Sequence, residues 1–149
     1  MSDLQKVLIP MLRAEEGLRL TVYDDATGKP IKPGTLVKGH PTIGIGRALD
    51  VNGITEEEAE YLKANDLAKV TKQLDERLPW WRSLTVNRQA VLAGMAFQMG
   101  IVGLLGFTNT LAAIKRGDYA GGASGMLASL WARQTPARAK RMADMMRAG

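Results

Sequence analysis

Apolar positions near the start of the chain, Leu4, Val7, Leu8, Met11 and Leu12, follow the spacing of one helix face. Ser2 with Gln5 three residues later is a capping box, and Gly17 is a natural stop. Pro10 falls inside this run and has no N–H to donate. The pattern therefore predicts a kinked helix, or a second helix from Pro10 to Gly17. From Leu18 to Tyr23 the period shortens to two, with Leu18, Leu20 and Val22 alternating against Arg19, Thr21 and Tyr23, which predicts a short strand. The segment "ATGKPIKPGTLVKGHP" carries three prolines and three glycines and reads as a long loop. "TIGIGRAL" is the next strand, where Gly44 and Gly46 suit a bend or a close backbone approach.

Asn52-Gly53 is a turn, and Thr55 with Glu58 is a second capping box. Leu62, Leu67, Val70 and Leu74 form one stripe of a helix that Pro79 stops. Some 22 residues of helix span about 33 Å, enough to join two lobes. Beyond "PWWRSL" every segment reads as helix. Thr85 caps "VNRQAVLAGMAFQMG", which Gly100 ends. A helix opened by Phe107 and Thr108 closes at Gly117. Another covers about 119–133, and the last starts at Thr135-Pro136, with proline at the favoured first position. The predicted fold is α+β and predominantly helical, a single domain over 1–149. It comprises a small β-containing lobe at about 17–54, a connecting helix at about 55–78, and a larger helical lobe at about 79–149 that includes the N-terminal helix.

Composition narrows the chemistry. Hydrophobic residues make up 46% of the chain and charged residues 23%, an ordinary globular balance. Cys is absent, which excludes disulfides and thiolate catalysis, and the lone His40 argues against a histidine-rich metal site. No metal or cofactor is expected. The net charge is +5 and the isoelectric point about 9.7, which favours polyanionic partners. Basic residues gather near the end: Lys115, Arg116, Arg133, Arg138, Lys140, Arg141 and Arg147, opposed only by Asp118 and Asp144. No nucleic-acid motif accompanies them, and "TIGIG" lacks the Lys-Ser or Lys-Thr of a phosphate loop. No apolar stretch reads as a membrane span. The first residues lack the features of a signal peptide, so residence in a host cytoplasm is expected until release.

The stretch "EEGLRLTVYDD", Glu15 to Asp25, carries a pair of acids at each end. Two carboxyl groups in different environments are what glycoside hydrolysis requires: one protonated to donate, which burial favours, and one ionised. Glu16 is expected at a helix end against an apolar lobe, and Asp25 at the end of the following strand. Two acids nine residues apart are a weak signal alone. The segments "MLRAEEGLRLTVYDD", "TIGIGRAL", "NGITEEEAEYL", "AFQMGIVGLLGFTNTL" and "WARQTPARAKR" together resemble the T-even phage lysozymes, in the same order. The chain is thus similar to phage endolysins of glycoside hydrolase family 24 over nearly its whole length.

The resemblance implies a lysozyme-like fold and a muramidase that cleaves, with inversion, the β-1,4 bond between N-acetylmuramic acid and N-acetylglucosamine in peptidoglycan. It implies Glu16 as proton donor, with Asp25 and Thr42 holding the attacking water. Phe97, Gln98 and Thr110 match cleft-lining positions, and Arg138 matches an arginine that pairs with the catalytic glutamate. Glu15 and Asp24 are expected as solvated acids whose amide substitutions are mild. The loop between Asp25 and Thr42 is longer than the family pattern, which leaves their separation open. Arg47 stands where a histidine is familiar, and an ion pair with Asp66 is expected of it. Ala48 and Gly125 replace larger cleft residues. A monomer is implied, acting on the periplasmic wall after a holin releases it, without nucleic acid as partner. The rival readings are a lytic transglycosylase, a non-catalytic wall-binding module and a basic helical domain that binds nucleic acid.

Overall fold

The structure, a computed structural model, describes all residues 1–149 and divides into two compact units, Met1–Ala59 and Glu60–Gly149. The first unit begins with helix α1, Asp3–Glu16. Its predicted capping box forms in full: Gln5 N donates to Ser2 Oγ at 3.2 Å, and Ser2 N to Gln5 Oε1 at 2.7 Å. α1 is one continuous helix with Pro10 inside it. Proline removes one hydrogen bond there, and the helix is exposed enough for water to satisfy the orphaned carbonyl. No α1 residue is fully buried, and Leu4 and Val7 are 70% exposed.

Strands β1 (Arg19–Asp24), β2 (Pro41–Gly44) and β3 (Arg47–Ala48) form an antiparallel sheet in the order β1-β2-β3. β1 pairs with β2 through Tyr23 opposite Thr42 and Asp24 opposite Pro41, with an irregularity between Arg19 and Tyr23. The segment read as a single strand, "TIGIGRAL", is a tight hairpin instead. Its glycines carry positive φ, +70° at Gly44 and +73° at Gly46, and turn the chain back. A one-turn helix α2, Leu49–Asn52, follows.

Helix α3, Glu56–Arg77, forms as predicted, and the boundary between the units lies within its first turns. Its capping box is also complete: Glu58 N donates to Thr55 Oγ1 at 3.1 Å and Thr55 N to Glu58 Oε2 at 2.8 Å. A 3₁₀ turn, Pro79–Ser83, ends it. Here Asp75 accepts from Trp81 Nε1 at 2.7 Å and from Arg82 Nε at 2.8 Å, which fixes the exit of the helix.

The second unit holds the core. Helix α4 runs Val86–Leu105 and bends at Gly100 (φ 77°, ψ 162°), where the sequence placed its end. Counted as one element, α4 is long and apolar enough to cross a membrane, with mean hydropathy 1.3. That corrects the expectation that no segment reaches this length, because two helical pieces run together across the bend. Its Val91, Leu92, Met95, Ala96 and Leu104 belong to the core. Helix α5 covers Thr108–Lys115. The helix expected over about 119–133 is two, α6 (Tyr119–Leu127) and α7 (Leu130–Gln134), because Ser129 accepts from Ala132 N and caps a new start. Helix α8, Pro136–Ala148, has proline in its first turn as predicted.

Leu74, Leu92, Met95, Ile114, Met126 and Met146 are all within 1% of complete burial. Each such side chain contributes about 1.5–3 kcal/mol relative to exposure. Phe107 meets Trp131 edge-on, with ring centroids 6.3 Å apart. Arg88 ties α4 to the end of α8, donating from Nε to Met146 O at 2.9 Å while its guanidinium lies 3.5 Å from the Tyr119 ring centroid.

Candidate active site

The three predicted catalytic residues, Glu16, Asp25 and Thr42, all lie in the first unit. Glu16 is the last residue of α1, where Gly17 N closes the helix on Arg13 O at 3.0 Å. Its carboxyl is exposed rather than buried in an apolar lobe. It lies over the β2–β3 turn: a Cβ built on Gly46 would stand 3.2 Å from Glu16 Oε2 and 3.3 Å from its Cγ. Gly46 therefore leaves the space that this carboxylate occupies.

Asp25 and Thr42 are joined through a single residue. His40 N donates to Asp25 Oδ1 at 2.6 Å, and Asp25 N donates to His40 O at 3.1 Å. Thr42 Oγ1 donates to the same His40 carbonyl at 3.0 Å. Thr42 is buried, so its hydroxyl is held rather than free to rotate. Once its proton is directed at His40 O, the hydroxyl oxygen can serve only as an acceptor. The neighbouring Gly39 admits no side chain, because a Cβ there would collide with Asp25 Oδ1.

Asp24 is not a solvated acid. It is 1% exposed, and its carboxylate accepts from Lys38 N at 2.8 Å, Gly39 N at 3.0 Å and Ala26 N at 3.0 Å. These bonds, first that from Lys38, hold its pKa below the usual carboxylate value against the opposing effect of desolvation. Its backbone carbonyl also accepts from Gly28 N, and its N–H reaches Lys29 O. Asp24 thus gathers both ends of the long loop and delivers Gly39 and His40 to Asp25. Its bond from Ala26 N, two residues on, is an Asx turn, and the "DDATG" sequence carries that signal. The contacts from Lys38 and Gly39 come from 14 and 15 residues away and carry no local signature.

Arg47 does not take Asp66 as its partner. It donates to Gly53 O and to Glu58 Oε1, both at 2.8 Å. Glu58 already faces this way through its capping bond to Thr55, and that bond first, with Arg47 after it, lowers the Glu58 pKa. Asp50, which no motif in the sequence marks, places its Oδ2 2.9 Å from His40 Nδ1.

The predicted binding residues Phe97, Gln98, Thr110 and Arg138 lie in the second unit. Phe97 is 42% exposed, and Lys63 Nζ sits 3.7 Å from its ring centroid. Gln98 Oε1 accepts from Trp131 Nε1 at 2.9 Å, so part of its polar capacity supports the fold. Thr110 is 7% exposed, and Gly125 is small where a Cβ would meet the Thr110 hydroxyl. Arg138 is exposed on α8 without an ion-pair partner, while Lys140 and Arg147 both reach Asp144, at 2.8 and 3.5 Å.

A small antiparallel sheet in a helical chain, with a glutamate at a helix end and an aspartate and threonine bound to one peptide, is the arrangement expected of a lysozyme-type glycoside hydrolase, the class that the comparisons support. The phage lysozyme family model matches residues 13–144, and the chain belongs to that family. It is 35% identical over 93% of its length to the pre-baseplate central spike protein Gp5 of Enterobacteria phage T4, and it spans 27% of that protein. Probable T4-type lysozymes 1 and 2 of Dictyostelium discoideum are each 27% identical, and 92% of each is covered.

Proposed function

We propose that the chain is a muramidase, hydrolysing with inversion the β-1,4 bond between N-acetylmuramic acid and N-acetylglucosamine in peptidoglycan. The observation that carries this reading is the His40 peptide. Its N–H binds Asp25 Oδ1 and its carbonyl accepts from Thr42, so the two groups keep a fixed relation. A water can donate one hydrogen to the Asp25 carboxylate and the other to Thr42 Oγ1. Its lone pair is then free for the anomeric carbon. Glu16 gives its proton to the glycosidic oxygen as that bond breaks. The water attacks from the opposite face and Asp25 takes the proton it loses. Glu16 ends ionised and Asp25 protonated, and exchange with solvent restores both. Bound sugar would exclude water from the exposed Glu16 carboxyl and strengthen its interactions. Phe97, Gln98, Thr110 and Arg138 are the proposed contacts to the glycan.

Glu16→Gln should lower the rate on outer-membrane-stripped Gram-negative cells by more than about 10²-fold, the low end for general acid catalysis, with an unchanged melting curve. A rate within about threefold of the parent would overturn the assignment. Mass spectrometry of the products should give hydrated reducing ends, whereas anhydro ends would mean transglycosylation. The biological setting we propose is host lysis, with a holin releasing a cytoplasmic enzyme to the periplasmic wall. The likeness to Gp5 favours a second setting, a wall-cutting module on a tail-like particle. Lysis of an expressing host only when a holin is co-expressed would support the first.

A further inference from the structure

We propose that His40 and Asp50 are a positioning pair for this site: the side-chain bond from α2 holds the peptide that fixes both Asp25 and Thr42. The proposal rests on the hydrolase reading above. His40 is the only histidine in the chain, and it stands at the convergence of four bonds. Its backbone N–H and carbonyl serve Asp25 and Thr42, and its carbonyl also accepts Asp25 N. Its ring Nδ1 meets Asp50 Oδ2 at 2.9 Å.

The residue lies at the exit of a long loop, just ahead of β2, where a backbone without side-chain anchorage drifts easily. Asp24 anchors Lys38 and Gly39 on one side, and β2 pairing begins at Pro41 on the other. The Asp50 bond is the side-chain anchor of the residue between them. Asp50 itself sits in α2, directly after β3, so the anchor runs back to the same sheet.

The charged groups facing the ring are Asp50 from α2 and Asp25 from the end of β1. The hydrogen bond to Asp50, and then its charge, raise the His40 pKa above the usual 6.5. Asp50 is held below its ordinary value by the same bond. The charged form of the pair is therefore held to higher pH than for a free histidine and is lost as pH rises through the raised histidine value. Ring and carboxylate are each about half exposed, 51% and 45%, so the effect should be moderate and sensitive to salt.

The test is steady-state kinetics on solubilised peptidoglycan from pH 5 to 9, with the full chain and the variants His40→Ala, His40→Asn, Asp50→Ala, the double alanine and Asp25→Asn. At pH 6, His40→Ala and Asp50→Ala should each lower kcat about tenfold with KM within about twofold, and the double variant should be no worse than either single. His40→Asn keeps a donor near the Nδ1 position but does not titrate. It should restore most of the rate and flatten the alkaline limb of the profile. The single imidazole resonance should titrate above 6.5 in the parent and lower in Asp50→Asn. If His40→Ala keeps the parental kcat and pH profile while Asp25→Asn is inactive, the positioning pair is wrong and the site reading stands. If alanine at 40 lowers only the melting temperature, the pair is merely structural and the proposal falls. If Asp25→Asn retains full activity, the site reading itself fails.

Discussion

Replacing Gly46 by alanine separates the placement of Glu16 from the stability of the hairpin. Gly44 and Gly46 have nearly the same φ, +70° and +73°, so alanine carries a similar left-handed penalty at either, about 1–2 kcal/mol. Their surroundings differ. A Cβ at Gly44 meets nothing within 4 Å, whereas at Gly46 it meets Glu16 Oε2 at 3.2 Å, Cγ at 3.3 Å and Cδ at 3.4 Å. Relaxing the shortest contact to an ordinary separation of about 3.5–3.7 Å moves the carboxyl by roughly 0.3–0.5 Å. A misplacement of about 1 Å can cost about 10²-fold, which scales to a loss of about four- to tenfold in kcat for Gly46→Ala. Gly44→Ala should lose comparable stability in a urea melt but keep kcat within about twofold of the parent. The assay is the initial rate of turbidity loss on stripped cells, corrected for folded fraction. Equal kcat in the two variants would refute the reasoning, because the close approach to Glu16 would then have no bearing on the chemistry.

Asp24→Asn should be severe rather than mild: the amide turns an NH₂ donor towards N–H groups that need acceptors, and proteolysis within residues 26–40 should quicken by about tenfold or more. Unchanged cleavage would show that the loop is held by other means. The lowered Asp24 pKa also predicts that the parental loop keeps its protection above the ordinary carboxylate value and loses it only as pH falls through the lowered one. Asp75 is held at about 2 by Arg82 and then Trp81. Its contribution to stability is fully present above pH 3.8, the unfolded value, and fades as pH falls towards 2. Urea melts of Asp75→Asn should therefore lose less than the parent between pH 4 and 2.5, and parallel losses would discount the cluster.

The parts of the fold legible in the sequence are those written locally. Two capping boxes, the stop at Pro79 and the proline start of α8 each depend on residues within a turn of one another, and each formed as read. The break between α6 and α7 carries no strong sequence signal, because Ser129, and not a glycine or proline, makes it. For Arg47 the family pattern points to Asp66, while the first turn of α3 offers Glu58 nearer by chain, and Glu58 is the partner it takes. At the candidate site, motif likeness is what points to Glu16 and Asp25. The residues that fix them in place, Asp24, Gly39, His40 and Gly46, act through contacts between segments distant in the chain, which no periodicity records.

Asp24 ends β1 and Asp25 opens the turn beyond it, so one carboxylate turns inward while the next meets solvent. Asp24 turns inward and, with three backbone donors, becomes the anchor of the loop. Asp25 stays exposed and receives only the His40 N–H. A longer loop between Asp25 and Thr42 costs little in closure entropy, about 0.6 kcal/mol for each doubling of its length. What length does threaten is register, because a slack loop can deliver its last residues to many positions. The isolated bridge of Tyr23 with Pro30 and the bond from Ile31 N to Val22 O restrain the outgoing half of the loop, and Asp24 restrains the returning half. Only residues 32–37 are left outside these clamps, where Leu36 is 84% exposed. The unclamped length is therefore confined to the tip of the loop, and the geometry at His40, Asp25 and Thr42 is insulated from it. Deleting residues within the tip should leave kcat nearly unchanged, whereas removing the Asp24 anchor should not.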